Sequence, residues 1–187
     1  MTEVIAIGGS AGSMQVIAQI LDALPDTFDY AIIIVIHRLK TGVSELAKSL
    51  GINRTNLIIK EPEDKELMRP GHIYLAPQNY HLLIEEDRTF SLDYSELVNY
   101  SRPSIDVTLE CVATVFRSKA AGIILSGANH DGAEGLSKIV KEGGKGIVQD
   151  PASAEYPNMP VAAINKNDLN EIMTPAEIID FIKTLNL

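Results

Sequence analysis

The 187-residue sequence predicts an α/β fold: a doubly wound, three-layer arrangement with a mainly parallel sheet and an antiparallel hairpin at one edge. Three observations carry this expectation. Continuous aliphatic runs at residues 4–7 and 31–36 suit strands covered on both faces. Segments of helical spacing separate such runs, so strand and helix alternate. Residues 81–94 change style, with two short strand-like runs joined around Asp87.

The elements follow in order. Residues 4–7 run into Gly8-Gly9-Ser10-Ala11-Gly12 and then a helical pattern at 14–24. A strand at 31–36 precedes a short helix at 44–50, ended by Gly51. Strands are expected at 57–60 and, after the Pro70-Gly71 turn signal, at 72–76. The hairpin runs are 81–86 and 89–94. Ile105, Leu109, Val112 and Phe116 give 103–116 a helical spacing. A buried strand at 120–125 opens into a loop at Ser126-Gly127, and a helix at 131–142 stops at Gly143-Gly144. Short strands follow at 146–149 and 171–173. Thr174-Pro175-Ala176-Glu177 then opens the last helix with a capping box and a first-turn proline. There is no repeat, low-complexity tract or interdomain linker, so residues 1–187 read as one domain.

Composition narrows the function. A hydrophobic content of 45% excludes a disordered chain. A net charge of −9 argues against general nucleic-acid binding, although Arg38, Lys40, Arg54, Lys60 and Lys65 could form a local basic patch. The single cysteine, Cys111, cannot form an internal disulfide and fits a reduced, cytoplasmic setting. The first apolar run has no basic region before it and ends in glycines, unlike a signal peptide. No apolar stretch has the length of a membrane span.

Gly8-x-Ser10-x-Gly12 between a strand and a helix is the pattern of a nucleophile elbow. Glycines permit the sharp turn, and the N–H groups of the new helix can stabilise developing negative charge. In a doubly wound sheet, ligands bind outside the carboxyl ends of the strands. Ser10, His37 and Asp131 each follow a different predicted strand, so all three are expected at that edge. A serine nucleophile needs such a set: a histidine to take its proton and a carboxylate to orient the histidine. Structural readings stand beside this one. Ser10 and Asp131 are both residues that cap helices, Asp131 with Glu134 three residues on. His130 is the rival base, and His72 and His81 read as structural. The order Ser, His, Asp is not that of the standard α/β-hydrolases, and no histidine follows His130. A dinucleotide-binding loop is disfavoured, because Ser10 and Ser13 replace two of its glycines and His37 stands where an acidic residue belongs.

Several blocks in order, IAIGGSAGS, VIHR, PGHIYLAPQNYHL, SRPSIDVTLE, GIILSGANHDGAEGL and QDPASAEYPNMPVAAI, resemble the catalytic domain of CheB-type chemotaxis protein-glutamate methylesterases. The resemblance places the catalytic serine, histidine and aspartate at Ser10, His37 and Asp131. It implies hydrolysis of glutamate γ-methyl esters on the cytoplasmic helices of chemoreceptors, with methanol released, and deamidation of receptor glutamines in some members. No metal or organic cofactor is implied, and no nucleic-acid partner or membrane insertion. Family enzymes usually carry a regulatory receiver domain, which is not expected within residues 1–187; the chain is either a stand-alone form or part of a longer protein. Oxyanion or substrate contacts are expected from Ala11, Gly12, Ala128 and Asn129, with Arg102 and Ser104 in a pre-helix loop either positioning substrate or entering the helix. Ala128 stands where the family commonly has methionine and Asn129 where it has glycine. Asparagine is the non-glycine residue best able to take a positive φ. The alternatives are a catalytically silent α/β signalling or receptor-binding module, or the same chemistry on another modified protein.

Overall fold

A computed structural model describes residues 1–37, 57–166 and 171–185. The expected helix at 44–50 and three members of the basic patch, Arg38, Lys40 and Arg54, lie outside those residues. The other two are matched by carboxylates: Lys60 by Glu66 at 2.8 Å and Lys65 by Glu85 at 3.9 Å.

Among the described residues, seven strands form one sheet: β1 (Val4–Gly9), β2 (Ala31–Ile36), β3 (Ile58–Lys60), β4 (His72–Leu75), β7 (Ala120–Ile124), β8 (Lys145–Gln149) and β9 (Glu171–Met173). Their spatial order is β3-β4-β2-β1-β7-β8-β9, and every neighbouring pair is parallel. The chain leaves β1 toward β2 and leaves β7 toward β8, so the winding reverses between β1 and β7. That reversal opens a crevice at their carboxyl ends.

The aliphatic runs are strands because both faces are covered. Val4 and Ala6 of β1 and Ala31, Ile33 and Val35 of β2 point into one core. Ile5, Ile7, Ile32, Ile34 and Ile36 point into the other. Each fully buried aliphatic side chain contributes roughly 1.5–3 kcal/mol. Helices α1 (Met14–Ala23) and α5 (Pro175–Thr184) cover the second core through Val16, Ile17, Ile20, Ile178 and Ile182. Helices α2 (Ile105–Phe116), α3 (Ala133–Lys141) and α4 (Asn158–Lys166) cover the first through Leu109, Val112, Leu136, Ile139 and Met159.

Helix ends follow local chemistry. Pro25 follows the extended Leu24 that ends α1. Gly143, at φ +84, ends α3. Thr174 and Glu177 form both bonds of the capping box on α5. The hairpin, β5 (His81–Ile84) and β6 (Phe90–Asp93), is a two-stranded sheet of its own rather than an added edge of the main sheet. Its apolar face explains the placement: Leu82, Ile84 and Phe90 join the core beneath α2, and Thr108 Oγ1 donates to Leu82 O at 2.9 Å. Helix α4 has no counterpart among the expected elements. Its apolar contribution is short and includes Pro160, which is tolerated because it lies in the first turn.

Among the described residues no helix is long and apolar enough to cross a membrane. A cleft of about 260 Å³ lined by Glu3, Asp29, Ala31, Met68, Arg88 and Phe116 lies by the amino ends of β1 and β2, the opposite end from Ser10 and His37.

Candidate active site

Ser10 follows β1 and His37 follows β2, one position beyond the paired Gly9 and Ile36. His37 N donates to Gly9 O at 3.3 Å, and Ser10 N donates across to Ser126 O, just past β7, at 2.9 Å. The serine is therefore held between its two neighbouring strands. It does not cap α1: the N-cap is Ser13, whose Oγ donates to Ser10 O at 2.7 Å. Gly12, at φ +78, completes the turn; a Cβ there would meet Ser126 Oγ at 2.6 Å and Glu155 Cβ at 2.7 Å. Ser126 braces the same turn by donating to Ala11 O at 2.8 Å. Ser126 N in turn donates to Gln149 Oε1 at 3.0 Å, so Gln149 helps to hold the brace in place.

His37 Nε2 lies 2.8 Å from Asp131 Oδ2; the histidine side chain is 13% exposed and the aspartate 0%. Asp131 does not cap the helix that follows it. Gly132 is the N-cap of α3, at φ +98, and the carboxylate turns instead onto the start of α2. Its Oδ2 accepts from Ile105 N at 2.7 Å. Its Oδ1 accepts from Ser104 Oγ at 2.8 Å, Asn99 Nδ2 at 2.9 Å and Asp106 N at 3.1 Å. Burial raises the carboxyl, but the bonds from His37, Asn99, Ile105 and Asp106 outweigh it and hold it at about 2. The amino end of α2 adds its dipole to the same effect. Asp131 thus stays ionised with no contact to water.

A second buried carboxylate stands behind the first. Asp106 Oδ2 accepts from the same Asn99 amide nitrogen at 2.7 Å, and its Oδ1 accepts from Gly135 N at 2.8 Å. Burial pushes its carboxyl up to about 6; Gly135 N–H opposes this, and the charge of Asp131 adds to it. Asn99 occupies a tight turn in which it and Tyr100 have φ of +51 and +61. Reasoning from the sequence missed Asn99 and Asp106. Asp106 stands four residues after Arg102 in the SRPSID block, but nothing in periodicity or spacing marks either as facing Asp131.

The other expected site residues fall into two groups. Ser104 is fully buried as the N-cap of α2, so its hydroxyl serves Asp131 and the helix. Arg102 donates to Tyr94 O at 3.2 Å and Ser95 O at 2.5 Å and lies 3.9 Å over the Tyr94 ring, which makes it a brace for the loop before α2. Ala11, Gly12, Ala128 and Asn129 lie in the two turns that follow β1 and β7. Among the described residues none of their backbone N–H groups donates a hydrogen bond. Gly127 fixes the second turn through Gly127 N to Tyr156 O and Met159 N to Gly127 O, both 3.0 Å. Asn129 is not among the residues of positive φ; the left-handed position in this loop is Gly132, so an asparagine at 129 costs no backbone strain. Its Oδ1 accepts from Asp131 N at 3.1 Å. His130 is exposed. His72 bonds Pro70 O, and the buried His81 bonds Glu96 O and accepts from Ser104 N. Among the described residues no three His, Cys, Asp or Glu side chains converge as a metal-binding group.

A family model described as CheB methylesterase matches residues 5–182. A Leptospira interrogans protein is 44% identical over 184 residues, which is 98% of this chain and 95% of that protein. The protein-glutamate methylesterase/protein-glutamine glutaminase of Maricaulis maris is 34% identical over 94% of this chain and 44% of its own length. That of Thermotoga maritima is 31% identical over 94% of this chain and 52% of its own length. The crystal structure of the Thermotoga maritima CheB methylesterase catalytic domain matches with a TM-score of 0.90 at 30% identity, over 99% of both chains. The match runs through the whole frame of strands that holds Ser10, His37 and Asp131, and the chain belongs to the CheB methylesterase family.

Proposed function

We propose that this chain is a serine hydrolase that removes methyl esters from glutamate side chains of chemoreceptors and deamidates receptor glutamines. The observation that carries the reading is the His37–Asp131 contact beside Ser10, at the point where the sheet reverses its winding. Family membership supplies the substrate class.

Ser10 Oγ attacks the side-chain carbonyl of the ester while His37 takes the hydroxyl proton. Because Nε2 already faces Asp131, Nδ1 is the ring nitrogen that receives it. Asp131, ionised and buried, stabilises the imidazolium. The N–H groups of Ala11 and Gly12 and of Ala128 and Asn129, in the turns after β1 and β7, donate to the oxyanion. The tetrahedral intermediate collapses, and the His37 proton goes to the departing methoxide to give methanol. Water, deprotonated by the same nitrogen, then attacks the acyl-enzyme; His37 returns that proton to the departing Ser10 Oγ, and glutamate is freed. With glutamine, ammonia leaves in place of methanol. Ser10 and His37 share no hydrogen bond among the described residues, and such contacts tighten when substrate binds.

The test is mass spectrometry of receptor helices carrying a glutamate methyl ester, or glutamine, at one position. Conversion of either to glutamate is the expected result. Helices that bind and remain unchanged would establish the silent receptor-binding module instead.

A further inference from the structure

Among the described residues, Asn129 places beside His37 a side chain that the proposed chemistry leaves unused. Its Nδ2 lies 3.5 Å from His37 Nδ1, while its Oδ1 accepts from Asp131 N at 3.1 Å. The orientation of this amide is dictated by its surroundings. A backbone N–H can only donate, so the oxygen must face Asp131 N, and the NH₂ is thereby turned to the ring. An NH₂ group tolerates only an unprotonated Nδ1. The single proton of the neutral ring must then stand on Nε2, where Asp131 Oδ2 accepts it at 2.8 Å. Asn129 is half-buried and its backbone is not left-handed, so the loop does not call for asparagine on conformational grounds.

We propose that Asn129 is a positioning residue: its side-chain amide, oriented by the Asp131 N–H, reinforces the Nε2–H tautomer set by Asp131 and keeps Nδ1 unprotonated to act as the base. This rests on the reading of His37 as the proton acceptor for Ser10. At 3.5 Å the contact is at the long limit for a hydrogen bond, so it selects a tautomer without strongly blocking the nitrogen. Once Nδ1 gains a proton, it meets an NH₂ group that cannot accept it. Asn129 therefore disfavours the imidazolium and presses the proton onward to the leaving group. Among the described residues, the ionisable groups around the ring are Asp131 in contact, Asp106 behind it through Asn99, and Glu155 against the Ser10 turn at Gly12. A substitution at 129 leaves all three in place.

The test compares the wild type with Asn129→Asp and Asn129→Gly by ¹⁵N NMR of His37 and by the pH dependence of kcat/KM for methanol release. The wild type should show the Nε2–H tautomer. Asn129→Asp keeps the shape but turns an oxygen toward Nδ1, so the acid limb of kcat/KM should move to higher pH by about one pH unit. Asn129→Gly removes the donor while Asp131 still holds the ring proton on Nε2, so the His37 signals should titrate at higher pH and the limb should move up by less. His37 signals and pH limbs that coincide in all three proteins would overturn the positioning role. A shifted His37 titration without Ser10-dependent release supports the positioning role and contradicts the hydrolase reading. Ser10-dependent release with unresponsive spectra overturns the positioning role alone.

Discussion

Asp131 keeps its charge because, among the described residues, each carboxylate oxygen faces only donors: Ile105 N and His37 at one, Ser104, Asn99 and Asp106 N at the other. An amide in its place would turn an NH₂ against one of those groups. Asp131→Asn should lower kcat by about 10⁴-fold, as loss of the orienting carboxylate does in a serine triad. It should also cost about 1–3 kcal/mol of stability for the unmatched donor. Steady-state kinetics and thermal unfolding check the two separately. Asp106 behaves in the opposite sense. Its carboxyl is pushed up to about 6 from 3.8, so the folded state holds its proton more tightly than the unfolded chain. The stability this gives is full below pH 4 and is lost as pH rises through 6, with an upper value of roughly 3 kcal/mol. Asp106→Asn should flatten the dependence of unfolding free energy on pH between 4 and 6. A slope equal to that of the wild type would contradict the account of Asp106.

At the scale of elements, Asp131 is positioned by two helices that pack side by side with their amino ends together. Asp131 lies just before α3 but is bound by the start of α2. The junction depends on Gly132, at φ +98, where a Cβ would meet Ile124 Cδ1 at 2.5 Å and Ile105 Cγ2 at 2.8 Å. Gly132→Ala should cost about 1–3 kcal/mol in strain. Because it shifts Asp131 against α2, it should also reduce kcat by about 100-fold. Unfolding and kinetics of the one variant test both effects. The elements themselves were largely legible. Continuous aliphatic runs marked β1, β2 and β7, and Thr174 with Glu177 marked the start of α5. Helix α4 was not legible, because its support for the 127–129 turn comes from packing: Met159 against Gly127, and Asn158 Nδ2 donating to Ala128 O at 3.1 Å.

At the scale of the molecule, the reversal of winding between β1 and β7 brings three distant residues to one sheet edge. That convergence could be anticipated from Ser10, His37 and Asp131 each following a strand. The polar layer behind them could not. Asn99 reaches Asp131 across 32 positions and Asp106 bonds Gly135 across 29, and no periodicity records such pairings. The hairpin illustrates the same limit, since its two strands were evident but their docking under α2 is a tertiary event. The most direct measurement is methanol release from methylated receptor helices by the wild type and by Ser10→Ala. The account predicts release by the wild type, and none above background from a Ser10→Ala variant that melts like the wild type. Equal release by the two proteins, or none from the folded wild type, would contradict it.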